Sequence, residues 1–91
     1  MALTRGRFQN FEYNRMVVLF TMMNDQAEVS CAVSSAAMDE LDGFGAKSDQ
    51  REEQFLRLRD RIEERAARKF QDGDVEGSPS KVILRSVDFR V

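Results

Sequence analysis

The chain has 91 residues, 42% hydrophobic and 33% charged, with 14 Lys and Arg against 16 Asp and Glu for a formal net charge of −2. That length sustains one domain, the composition argues against a disordered chain, and the near balance of charge leaves non-specific nucleic-acid or anionic-membrane binding to some local basic patch. One cysteine and no histidine exclude an internal disulfide and remove the commonest base for a nucleophile.

A single α+β domain is expected over residues 1–91, with an N-terminal arm at 1–13 and a core at 14–91. The arm mixes Arg5 and Arg7 with Phe8, Phe11 and Tyr13, and packing of its rings onto the core outweighs base stacking as their purpose. The first ten residues lack the apolar stretch of a signal peptide, and the apolar run at 16–20 is far below the ~20 residues of a membrane span. With a lone cysteine, this points to a reducing, cytoplasmic setting and no membrane partner.

Residues 14–23 are β-branched and large apolar, which predicts a strand. Met16, Val18, Phe20 and Met22 fall on one side and Val17, Leu19, Thr21 and Met23 on the other. Both sides are apolar, so the strand is expected to be central and covered twice. After the turn residues Asn24, Asp25 and Gln26, residues 27–33 alternate with Val29, Cys31 and Val33 inward. The two make an antiparallel hairpin. Cys31 reads as a small buried hydrophobe, because nothing nearby in the pattern would lower its pKa.

Ser34 or Ser35 starts a short helix that Gly43 stops. The connector at 43–47 holds a G-x-G, but it follows a helix and lacks the rest of a phosphate loop; Phe44 is expected to tuck inward. A long helix then runs over 49–71, opened by Asp49-x-x-Glu52 in the pattern of a capping box. Phe55, Leu58, Ile62, Ala66 and Phe70 form its buried stripe. Arg57, Arg61, Arg65 and Arg68 gather on the opposite side with Glu64 among them, a solvated ion-pair face in preference to a phosphate-binding one. Arg59 lies inside the stripe, clamped at its rim by Glu63 or else aimed at a carboxylate of a ligand or second subunit.

The acidic loop at 71–80 begins like a calcium loop, with Asp72, Asp74 and Glu76, but its twelfth position is Ile83 and Pro79 interrupts it. A last strand spans 81–86 and is apolar on both sides near its start, with Pro79 at its entrance. The expected fold is therefore a small antiparallel sheet of three to four strands, order β-β-α-α-β with room for an extra N-terminal strand. A short and a long helix pack on one face of it.

The pattern of residues 17–20, of Val29-x-Cys31-x-Val33-Ser34, of Arg59-Asp60-Arg61-Ile62-Glu63 with Ala66 and Arg68-Lys69-Phe70, and of Val87-Asp88-Phe89 resembles a family of small bacterial proteins. That family is catalogued as a domain of unknown function, number fourteen eighty-eight. The likeness covers about residues 14–89 and implies a compact α+β domain in a bacterial cytoplasm. It implies no activity and no catalytic residue.

Without a histidine, a paired-cysteine ligand set or a complete catalytic motif, no enzyme, cofactor or metal site is expected. Two helices can cover one face of the sheet, so the other must be hidden by the arm (Leu3, Phe8, Phe11, Tyr13), by a second copy in a homodimer, or by another protein. Met16, Val18, Phe20, Met22, Met23 and Arg59 are the candidate interaction residues. The alternative is a nucleic-acid-binding accessory protein that uses Arg57, Arg61, Arg65 and Arg68, against which Glu64 and the acidic loop already argue.

Overall fold

The computed structural model describes residues 3–77 and 80–90. Four strands form one sheet in the order β1 (Thr4–Glu12), β2 (Val17–Asn24), β3 (Ala27–Ser34), β4 (Lys81–Leu84). Between β3 and β4 the chain makes α1 (Ser35–Asp42), a 3₁₀ turn at Ser48–Gln50 and α2 (Arg51–Gln71); a second 3₁₀ turn at Ser86–Phe89 follows β4. The class is α+β as expected, and the arm supplies the extra N-terminal strand, at the sheet edge. One feature differs: β4 runs parallel to β3, so the sheet is mixed and not antiparallel throughout. The parallel pairing follows from the crossover: α1 and α2 carry the chain back to the end of the sheet where β3 began.

Residues 14–16, expected to begin a strand, belong instead to the turn between β1 and β2. Met16 has φ 54° there and gives its carbonyl to the Ser35 amide at 2.9 Å. The β2–β3 turn is the two-residue Asp25-Gln26, with Asp25 at φ 59°, the left-handed first position that hairpin twist favours. Register shifts in β1 on either side of Phe8 bring Gly6 so close to β2 that a Cβ there would lie 2.3 Å from the Thr21 carbonyl oxygen. Only glycine fits that approach.

Ser34 caps α1 by accepting from the Ala37 amide at 3.1 Å, and Gly43 ends it at φ 83° with its amide on the Asp39 carbonyl. The expected capping box of α2 is not what forms. Gln50 accepts from the Lys47 amide at 3.1 Å, and the chain enters α2 through the 3₁₀ turn. Phe44 is exposed, not tucked in, and its ring meets the Arg57 guanidinium at 5.7 Å. The last strand stops at Leu84, and residues 86–89 turn back towards the helices. The expectation placed on Pro79 lies outside the described residues.

The core lies between one face of the sheet and the two helices. Val18, Phe20 and Met22 of β2, Val29, Cys31 and Val33 of β3, and Val82 and Leu84 of β4 meet Met38 of α1 and Phe55, Leu58, Ile62 and Ala66 of α2. Phe55 sits at the centre, its ring 5.0 Å from that of Phe20 and 5.7 Å from that of Phe8. Among the described residues no helix is long and apolar enough to cross a membrane.

Candidate docking face and arginine groove

Three polar locks fasten the helices. At the start of α2, buried Arg51 donates from Nη1 to Asp39 Oδ1 and Gln54 Oε1, both at 2.6 Å. Gln54 Nε2 reaches Asp39 Oδ1 at 3.0 Å and Asp42 Oδ2 at 3.2 Å. Burial alone would raise the Asp39 pKa, yet the bonds from Arg51 and Gln54 outweigh it and hold the carboxyl below its ordinary range.

In mid-helix, buried Glu63 accepts from Arg59 Nε at 2.9 Å and Arg5 Nε at 2.7 Å, while Arg59 Nη2 holds the Gly6 carbonyl at 3.1 Å. Near the helix end, buried Lys69 donates to the Ile83 carbonyl at 2.8 Å and to Asp88 Oδ2 at 3.0 Å. The same carboxylate oxygen takes the Arg85 amide at 2.7 Å.

Arg59 therefore spends Nε and Nη2 inside its own chain, bridging α2 to the β1 bulge, with its guanidinium 5.8 Å from the Phe55 ring centroid. It is not an outward anchor. Val18, Phe20 and Met22 are corrected in the same sense, since they are buried beneath the helices and closed to any partner. The parity read from the sequence holds within β2, and the helices cover the side that carries Val18, Phe20 and Met22. The pairings Val18–Val33 and Phe20–Cys31 put these residues on the face that the one-sided pattern of β3 had already marked as inward. Met16 projects from the turn, 43% exposed, and Met23 is half-buried.

The arm does not cover the second face either. Leu3 is buried in the helix-side core, and Phe8 and Phe11 pack against it. What remains on the helix-free side is the row Asn10, Leu19, Ala32, Ile83 across all four strands, flanked by Val17 and Ser34 on one side and Thr21, Ser30 and Lys81 on the other. Leu19, Val17, Ala32 and Ile83 are all half-buried. A shallow concavity of about 530 Å³ opens beside Val17, Ala32 and Ile83.

Three ion pairs ring this face: Arg7 with Glu28 at 3.0 Å, Arg15 with Glu12 at 2.7 Å and Arg85 with Glu76 at 2.8 Å. In each, the bond from the arginine holds the carboxyl below its usual range. Glu76 of the acidic loop is thereby turned to Arg85 and the sheet edge.

The arginine face of α2 divides. Arg57 is taken up by Asp42 at 2.6 Å and Glu53 at 3.3 Å. Arg65 donates from Nε to the Asp88 carbonyl at 2.6 Å. Arg61 and Arg68 are exposed beside a groove of about 450 Å³ between α2 and the C-terminal 3₁₀ turn. No continuous basic track runs along the helix.

Cys31 is buried in the core, and burial pushes its thiol up to about 12, which leaves no thiolate for chemistry. Reasoning from sequence overlooked Arg51, Gln54 and Lys69, all buried. Their spacing was the available signal, since Arg51 precedes Phe55 by four residues, Gln54 precedes Leu58 by four, and Lys69 follows Ala66 by three.

Residues 5–79 match the model of a family described as a protein of unknown function, DUF1488. A crystal structure of a DUF1488-family protein of unknown function from Shewanella loihica PV-4 superposes with a TM-score of 0.73 at 16% identity, over 90% of this chain and 94% of that one. At that identity the likeness shows the shared fold. No curated protein matches the chain. The family model spans most of the chain, and the chain belongs to the DUF1488 family.

Proposed function

We propose that this chain is a non-catalytic interaction module that pairs with a second copy of itself through the helix-free face of its sheet. The observation that carries the reading is the composition of that face: an apolar row through Leu19, Ala32 and Ile83, bordered by ion pairs that each place both signs side by side. A twofold interface sets a patch against itself, so a rim of mixed sign can meet its own copy without like charges being forced together. The apolar centre supplies the area whose removal from water drives association. A stable interface needs about 800 Å² from each partner, a minor part of the 5624 Å² this chain presents.

Sedimentation equilibrium from about 0.1 to 100 μM, which reaches the weaker end of the affinities seen for interfaces of this size, tests the reading. A dimer, either throughout or in equilibrium with monomer, is expected. A species of 10.5 kDa throughout would rule out the dimer.

A further inference from the structure

The groove between α2 and the C-terminal 3₁₀ turn is built differently from the sheet face. Arg61, Arg65 and Arg68 follow one another at i, i+4 and i+7, so one wall is a column of guanidinium groups, and Arg90 joins them from the chain end. Val87, 64% exposed, and Phe89 give the groove an apolar side.

Donors here outnumber acceptors. Asp88 gives Oδ2 to Lys69 and the Arg85 amide and faces Arg65 Nη2 with Oδ1 at 3.7 Å, and Arg90 pairs with Glu40 at 3.1 Å. Arg61 and Arg68 have no carboxylate within 4.0 Å among the described residues, and Arg65 Nη1 is buried with no acceptor. Glu64 alone offsets them on that wall. A chain of net charge −2 has thus gathered an excess of fork-shaped cations into a cavity of about 450 Å³, within the size range of small-ligand sites.

We propose that this groove binds a small molecule with an oxyanion head and an apolar body, Arg61 and Arg68 taking the oxyanion and Val87 with Phe89 the body. Phosphate monoesters and carboxylates share the head chemistry, since both accept the paired N–H groups of a guanidinium. A nucleic-acid strand fits less well. Arg57, one turn nearer the start of the helix on the same face, is tied to Asp42 and Glu53, so the positive wall ends after one ligand's length.

The test is an NMR titration of the full chain with phenyl phosphate, benzoate, inorganic phosphate and a short single-stranded oligonucleotide, each at the same ionic strength. Phenyl phosphate or benzoate is expected to give saturable shifts confined to amides 61–68 and 86–90, and whichever binds more tightly names the head group. Inorganic phosphate, lacking the body, should bind more weakly. Arg61→Gln and Arg68→Gln, both at exposed positions, should each weaken binding about tenfold, the worth of one charge-assisted hydrogen bond. No shift up to about 10 mM, where even weak small-ligand sites fill, would overturn the proposal. So would unchanged affinity in the double variant, or binding of the oligonucleotide alone. Val87 also lines the concavity beside Ile83, so the titration is run both on the parent chain and on Leu19→Glu, which separates ligand binding from self-association.

Discussion

Gly6 and Arg59 show how closely one residue can determine the packing of another. The β1 bulge presses the Gly6 Cα against β2, where an added Cβ would meet the Thr21 carbonyl oxygen at 2.3 Å and Thr21 Oγ1 at 2.6 Å. The first of these is backbone and cannot swing aside, so Gly6→Ala must part the two strands. A loss of about 2–3 kcal/mol in urea unfolding is expected, the upper range for overpacking. A loss below about 0.5 kcal/mol, the scatter of ordinary surface changes, would mean that β1 moves freely. The Gly6 carbonyl is held in place by Arg59, whose other bond secures Glu63. Arg59→Met keeps an apolar stem over Phe55 and removes both bonds. It should cost about 1–2 kcal/mol while leaving self-association unchanged, because the bonds it removes are internal. A change in the sedimentation behaviour of Arg59→Met, with stability intact, would give the guanidinium an outward role after all.

At the scale of elements, the Lys69–Asp88 contact ties the end of α2 to both β4 and the last 3₁₀ turn. Burial pushes the Asp88 pKa up, but the Arg85 amide, Lys69 and Arg65 together bring it below the ordinary aspartate range. A carboxyl whose folded pKa is depressed binds its proton more readily when unfolded. Its stabilisation is thus complete above the unfolded value of ~3.9 and fades as pH falls through the lower, folded value. Asp39 moves in the same direction, so both locks loosen together in acid. Asp88→Asn should flatten that acid limb and, by stranding a buried Lys69 ammonium, cost about 3 kcal/mol at neutral pH. Adding Lys69→Met should recover part of the loss; an additive double variant would mean the two groups do not interact. These locks also mark where sequence stopped being informative. The stripe of α2 and the inward face of β3 are periodic and were readable, as were the serine start and glycine stop of α1. Lys69 and Arg51 occupy stripe positions too, but their partners, Asp88 and Asp39, are 19 and 12 residues away. Periodicity locates a face, and only the fold says what lies opposite it. For the same reason the parallel pairing of β4 was hidden, since it depends on the direction of return after two helices and on no local pattern.

For the whole molecule, the decisive asymmetry is a four-stranded sheet with helices on one side only. The sequence disclosed it as strands apolar on both faces, but Val18, Phe20 and Met22, offered to a partner, lie on the covered face of β2, and the arm proved to widen the sheet. Widening leaves the uncovered side larger, with Leu19 on central strand β2 between Asn10 and Ala32. A charge placed there should be tolerated in the monomer, because Leu19 is half-buried and a glutamate can reach water past its neighbours. In a dimer the same carboxylate would be sealed from solvent, and twofold symmetry would set it near its own copy if Leu19 lies close to the axis. Leu19→Glu should therefore weaken self-association at least about a hundredfold, equivalent to about 2.7 kcal/mol, while shifting the unfolding free energy of the monomer by less than about 1 kcal/mol. Ile83→Glu, on β4 at the far end of the same row, should act in the same direction, with less force if the axis passes near Leu19. A parent dimer that survives both substitutions at full affinity would place its contact elsewhere on the molecule and leave the apolar row without a role.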